Sequence, residues 1–317
     1  MKVHLEVVGA TTVYSGGMLK GNVVVNCAKP GKFRGVDVSF KGTAHCSWSE
    51  GSNDNQRRYS RTRVLCKLKS TLAGVPKGGP GPAQLMSAGE HRYPFEFQVP
   101  NNLPQSFKKG VGYVSYVLKA RIGIKGLLKS DPICKTPIRV IGGHDPAIMA
   151  SKATPTQGSN SKKFLFSKGQ AKCVVSLASA VAFEGVTMPV TIVVQNNSKK
   201  TVNNVSVKLR QTATWSASEN GHFGRGTHTR QYHDTHKVLL PDSKVKAGGT
   251  YENALDLTVP VGRFVSSGAA ADVLVISHSI EVACHVTFAK KLTTTIPILV
   301  FSKKKIYYYS AMNVVFA

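Results

Sequence analysis

The chain has 317 residues, with 42 Lys and Arg against 16 Asp and Glu, for a formal net charge of +26. With 42% hydrophobic and only 18% charged residues, it has apolar surface enough for one large domain or two ordinary ones, which excludes a mainly disordered chain. No apolar run approaches the roughly 20 residues of a membrane-spanning helix, and residues 1–6 carry no signal-type apolar segment, so a soluble intracellular protein is expected.

From the start of the chain, Val3, Leu5 and Val7 alternate with Lys2, His4 and Glu6, and Val36, Val38 and Phe40 with Asp37, Ser39 and Lys41. The same period recurs at Phe95/Phe97/Val99, Val114/Tyr116/Leu118/Ala120/Ile122, Val205/Val207/Leu209, Leu255/Leu257/Val259, Ile280/Val282/Cys284/Val286 and Ile296/Ile298/Val300. Each alternation puts one face in a core and one in solvent, as antiparallel sandwich strands require. Turn residues punctuate them, among others at Ser15-Gly16-Gly17, Asn101-Asn102, Asn196-Asn197 and Gly248-Gly249. Only Asp145-Pro146 and the residues that follow read as a helical turn, with Asp as cap and Pro inside it. The fold class is all-β.

The two halves repeat. Tyr14, Gly16 and Val23-Val24-Val25 answer Phe183, Gly185 and Ile192-Val193-Val194, and Thr43-Ala44 answers Thr212-Ala213. Phe95-x-Phe97-x-Val99-Pro100 answers Leu255-x-Leu257-x-Val259-Pro260. Apolar positions could match by chance alternation, but the turn glycine, the Thr-Ala pair and the Val-Pro stop are a duplication signal. The expected organisation is a sandwich over 1–142, a linker over 143–162, a second sandwich over 163–301 and a short basic and aromatic tail over 302–317.

Chemistry is sparse. There is no GxxxxGK[ST], HExxH, GxSxG or strand-linked GxGxxG, so the chain is not read as an enzyme and no catalytic residue, cofactor or metal is expected. The six cysteines (Cys27, Cys46, Cys66, Cys134, Cys173, Cys284) show no CxxC spacing and read as core thiols. His222, His228, His233 and His236 match no compact zinc pattern and read as a polar hairpin loop. One basic cluster stands out: Arg57, Arg58, Arg61 and Arg63. On a strand, Arg57, Arg61 and Arg63 share a face with Tyr59, a candidate contact for phosphate, carboxylate or an anionic membrane. Four such charges add about 4 kcal/mol near an anionic leaflet, roughly millimolar affinity, so they supplement another contact.

The residues resemble a known family. In the first half these are Val13-Tyr14-Ser15-Gly16-Gly17, Gly21-Asn22-Val23-Val24-Val25, and above all Gly89-Glu90-His91-Arg92-Tyr93-Pro94-Phe95 through Val99-Pro100. In the second they are Glu184-Gly185, Asn196-Asn197-Ser198-Lys199-Lys200 and Ser277-His278, where the family usually has Ser-Tyr. The chain is similar to the arrestins, most of all to the alpha-arrestins, or arrestin-domain-containing proteins. The resemblance implies two tandem arrestin-like antiparallel β-sandwiches of immunoglobulin-like type. It implies a non-enzymatic adaptor that binds cytoplasmic segments of membrane receptors or transporters for endocytosis, transport and sorting, peripheral at the plasma membrane or endosomes. Ubiquitin ligases are an implied partner, although no PPxY motif is present for direct ligase recruitment and no phosphate-released polar core is recognised, whereas anionic phospholipid is a partner expected from the arginine cluster alone. Two alternatives remain: a retromer-like sorting-coat subunit, and a non-specific nucleic-acid binder suggested by the charge. No RRM, KH or zinc-finger signature supports the second.

Overall fold

The computed structural model describes residues 1–52, 55–124, 130–142, 146–165, 167–219 and 226–302. The alternating segments form strands. In the first half these are β1 (Lys2–Val7), β2 (Thr12–Tyr14), β3 (Met18–Cys27), β4 (Gly31–Glu50), β5 (Arg57–Gly74), β6 (Gln84–Met86), β7 (Gly89–Gln98), β8 (Phe107–Lys109), β9 (Gly112–Ile124) and β10 (Ile133–Ile141). There follow helix α1 (Pro146–Lys152) and strands β11 (Thr156–Lys163), β12 (Gln170–Leu177), β13 (Val181–Phe183), β14 (Thr187–Asn196), β15 (Val202–Glu219), β16 (Thr227–Leu239), β17 (Thr250–Thr258), β18 (Gly268–Ala270), β19 (Leu274–Val286) and β20 (Leu292–Phe301).

Described residues within Met1–Gly143, Trp215–Arg230 and Ala269–Leu274 form one compact unit, and those within His144–Thr214, Gln231–Gly268 and Val275–Ala317 a second. In the first, a sheet ordered β1-β3-β7 faces one ordered β5-β4-β9-β10-β2. Val23, Val24 and Val25 of the central strand β3 are fully buried with Val36, Phe40, Leu118 and Ile122. Phe40 stacks on Tyr116 at 5.8 Å, and the Tyr116 hydroxyl donates to the Pro104 carbonyl at 2.6 Å. In the second unit, β11-β12-β14-β17 encloses a core with β15-β19-β20-β13, and the side chains of Val190, Ile192, Val207, Leu209, Ile280 and Ile296 fill it.

The duplication reaches single hydrogen bonds. The short strand β2 pairs parallel with β10, the last strand of its half, and β13 pairs parallel with β20 in the same way. After each short strand, Ser15 and Glu184 donate their amides to Ile141 and Phe301. Then Gly16 and Gly185 turn the chain at φ +79° and +71° and donate to the carbonyls of Pro100 and Val259. Both glycines occupy the left-handed region that a β-carbon makes costly, which is the physical content of the repeated glycine.

Two expectations need correction. The stretch 143–162 is not a plain linker: α1 occupies part of it, and β11 pairs antiparallel with β12 from Thr156↔Leu177 to Lys163↔Gln170. Nor is the chain divided at a single cut, since the described residues within 215–230 and 269–274 pack with the first unit. Asp145, the expected cap, and residues 303–317 of the expected tail lie outside the described residues.

Candidate functional site

The arginine cluster opens β5. Antiparallel pairing with β4 sets Arg57 opposite Glu50, Tyr59 opposite Trp48, Arg61 opposite Cys46 and Arg63 opposite Ala44. Tyr59 is buried, stacked on Trp48 at 5.5 Å and tilted against His228 at 4.5 Å. The guanidinium groups do not form an open anion cradle. Arg61 is only 13% exposed; its Nη1 donates to Asp272 Oδ2 at 3.1 Å and its Nη2 to Ser218 Oγ at 2.6 Å. Arg63 grips the same carboxylate through Nε at 2.9 Å and Nη2 at 2.9 Å. Arg57 lies 3.7 Å from Glu219. Hydrogen bonding from Arg63 holds the Asp272 carboxyl below the usual carboxylate range. Three of the four charges therefore have carboxylate partners, and Arg58 is the exposed one without an ion pair among the described residues.

The histidine run also differs from expectation. His228, His233 and His236 lie on strand β16 rather than in a loop, with His233 Nδ1 3.0 Å from Thr212 Oγ1, and His222 falls outside the described residues. Among the described residues no group of three or more His, Cys, Asp or Glu could hold a metal ion. Cys27, Cys46, Cys66, Cys173 and Cys284 are buried, whereas Cys134, on β10, is half-buried rather than a core thiol.

A second cluster lies at one end of the second unit, where the β11–β12, β14–β15 and β19–β20 loops meet. Asn196 makes this end rigid. Fully buried, it donates through Nδ2 to the carbonyls of Lys200 (2.8 Å), Val245 (3.1 Å) and Lys246 (3.1 Å), and its Oδ1 accepts from Ser198 Oγ at 2.7 Å. The loops are then stitched together. The Lys199 amide donates to Ser167 Oγ at 3.0 Å and the Thr287 amide to the Thr201 carbonyl at 3.3 Å. Lys162 Nζ donates to the Lys291 carbonyl at 3.2 Å. Gly169, at φ +79°, sits where a β-carbon would run into the Asn197 carbonyl.

From this frame two apolar side chains point into solvent, Leu165 at 80% and Phe288 at 97% exposure. Phe288 also holds φ +50°, a conformation that is costly for a bulky residue. Neither exposure nor strain helps folding. Exposed lysines 163, 168, 199, 290 and 291 lie on or next to the same loops, with Lys162 and Lys200 half-buried and the Lys200 Nζ 3.4 Å from the Phe288 carbonyl. Apolar tips on lysine-rich loops fit an interface where hydrocarbon meets anionic headgroups.

The sequence matches the family model "Arrestin (or S-antigen), N-terminal domain" over residues 5–147 and "Arrestin (or S-antigen), C-terminal domain" over 167–305. The chain belongs to the arrestin family. Its relatives include "Arrestin domain-containing protein A" of Dictyostelium discoideum, 24% identical over 93% of this chain and 50% of that protein. A Schizosaccharomyces pombe protein named "Putative arrestin-related trafficking adapter" is 26% identical over 42% of this chain and 24% of its own length. "Probable HECT-type ubiquitin ligase-interacting protein creD" of Aspergillus oryzae is 27% identical over 41% and 22%. The chain thus spans half or less of the length of each of these three relatives. This arrestin carries the Asn196-Asn197-Ser198 sequence as a structural lock, and the lock positions the basic loop beside Phe288.

Proposed function

We propose that this arrestin is a non-enzymatic trafficking adaptor that works at a membrane surface, binding cytoplasmic segments of membrane receptors or transporters for endocytosis and sorting. The relatives named as a trafficking adapter and as a ubiquitin ligase-interacting protein support the adaptor reading, with ligase engagement not resting on a PPxY motif in this chain. No helix among the described residues is long and apolar enough to cross a membrane. The observation that carries the reading is the strained, solvated Phe288 and the solvated Leu165 on lysine-rich loops that are hydrogen-bonded to one another at one end of the second unit.

The magnitudes suit an adaptor. Burying Leu165 and Phe288 is worth about 1.5–3 kcal/mol each. Four lysines near an anionic leaflet add about 4 kcal/mol. Part of that total is lost in immobilising the protein. The contact is then reversible and becomes selective only when cargo is bound as well.

In sedimentation with phosphatidylcholine–phosphatidylserine vesicles, Leu165→Ser/Phe288→Ser is expected to weaken binding by roughly tenfold or more. The wild-type protein should bind less as salt rises, while purely zwitterionic vesicles should retain little. Equal binding by wild type and the double variant would remove the membrane reading.

A further inference from the structure

The two layers of the second sandwich close on each other along one margin. Packed sheets ordinarily stand about 10 Å apart, but here β11 and β12 of one layer meet β20 of the other through direct bonds. Asn160 Nδ2 donates to the Thr293 carbonyl at 2.8 Å, and the buried Thr294 hydroxyl donates to the Cys173 carbonyl at 3.0 Å. Gly158 on β11 belongs to the same approach, since a β-carbon there would stand 2.9 Å from Ile296 Cγ1.

This margin brings two thiols together. Cys173 on β12 lies opposite Asn160 and Val194, and Cys284 on β19 lies opposite Leu292. Both side chains are fully buried in one core, and the two thiols are close enough to share a hydrogen bond. That bond favours a thiolate on Cys173 and keeps the proton on Cys284. Other buried thiols have partners of a different kind. Cys27 Sγ donates to Met86 Sδ at 3.3 Å, and Cys46 Sγ to the Ser216 carbonyl at 3.3 Å. Two cysteines that face each other from opposite layers have the placement of a cross-sheet disulfide, which needs their backbones closer than sheets ordinarily stand.

We propose that Cys173 and Cys284 are a redox pair that hydrogen peroxide closes into a disulfide across the two sheets. The Cys173 sulfur attacks one peroxide oxygen and the O–O bond breaks, giving a sulfenic acid and, with the thiol proton, one water. The Cys284 sulfur then attacks the Cys173 sulfur. An S–S bond forms, the S–O bond breaks, and the hydroxyl leaves with the Cys284 proton as a second water. Two electrons pass from the two thiols to one peroxide, and a dithiol reductant reverses the step. The disulfide fastens β12 to β19, the strands from which the β11–β12 and β19–β20 loops extend, and it closes a long loop of chain in the unfolded state. Both sulfurs are sealed from solvent, so peroxide enters through local opening and closure is slow. The pair belongs to the core of the second unit and stands independently of the membrane reading.

The test exposes the full chain to excess hydrogen peroxide, alkylates remaining thiols in denaturant, and maps the unreduced tryptic digest by mass spectrometry. The expected product is a cross-link between peptides 173–199 and 264–290 that dithiothreitol splits. The oxidised monomer should melt about 5–15 °C above the reduced one. Cys284→Ala should show no such rise, with Cys173 stopping at a sulfenic acid that dimedone traps, and Cys173→Ala should show neither the rise nor the cross-link. Cys27→Ala should leave the cross-link intact. Full alkylation of Cys173 and Cys284 after prolonged exposure, their over-oxidation without a cross-link, or their linkage to other cysteines would overturn the proposal.

Discussion

Arg121→Met is expected to destabilise the first unit by about 2–4 kcal/mol at neutral pH, lowering its melting temperature by roughly 6–12 °C. The Arg121 side chain is 11% exposed and joins β4 to the residues that follow β9 by pairing with Asp37 and with Asp131. Burial disfavours the charged guanidinium, and hydrogen bonds to the two carboxylates outweigh that cost. Removing the cation leaves two carboxylates facing each other in a half-buried site. Each retains weaker partners, Thr71 Oγ1 at 2.8 Å from Asp37, and for Asp131 the Ile124 amide at 3.0 Å and the charge of Lys77. The loss is mostly that of stranded charge, so Arg121→Met/Asp37→Asn should recover part of it. Calorimetric melting of the three proteins checks this, and a loss below about 1 kcal/mol in the single variant would show the cluster to be a solvated surface pair.

The second unit is expected to lose stability as acid protonates one buried histidine. His278 is 3% exposed and hydrogen-bonded on both ring nitrogens. Ser267 Oγ lies 2.8 Å from Nδ1 while accepting the Val300 amide, so its own proton points at Nδ1. Nε2–H then donates to Gln211 Oε1 at 3.3 Å. The neutral ring is satisfied on both sides, with the Phe264 ring edge-on at 5.9 Å, and an added proton on Nδ1 would face a donor. Burial pushes the His278 pKa down to about 3 from the ordinary 6.5. The sign follows: the stabilisation is complete above pH 6.5, where both folded and unfolded rings are neutral, and is lost as pH falls toward 3 because only the unfolded state takes up the proton. From pH 6 to 4.5 this one group removes about 2 kcal/mol, at 1.4 kcal/mol per unit. Carboxylates add their own acid dependence, so the readout is the difference between wild type and His278→Gln in urea denaturation at each pH. The variant should lie on a flatter curve by one proton, and parallel curves would contradict the account.

What the sequence disclosed follows from the range of each interaction. Alternation reports local burial, so the strands through Val36–Phe40 or Ile280–Val286 were readable, and so was the glycine forced to positive φ in both halves. Strand β11, Thr-Gln-Gly-Ser-Asn-Ser-Lys-Lys, was missed because an edge strand with little to bury has no apolar rhythm; its pairing comes from β12. Strand β16 hid its period behind polar side chains for the same reason. The arginines of β5 were legible as a cluster but not as a neutralised one, since Asp272 lies 209 residues beyond Arg63 with no local signal. Leu165 and Phe288 belong to different loops, and only the fold ties those loops to the Lys199-Lys200 loop that both adjoin.

Proximity labelling in cells, with the wild-type chain and with Leu165→Ser/Phe288→Ser, tests the adaptor account most directly. The expected neighbours of the wild type are membrane receptors or transporters together with ubiquitin-ligase components, and the loop variant should lose most of the membrane proteins. Neighbours confined to a constitutive coat scaffold or to nucleic-acid-binding proteins, and unchanged in the variant, would contradict it.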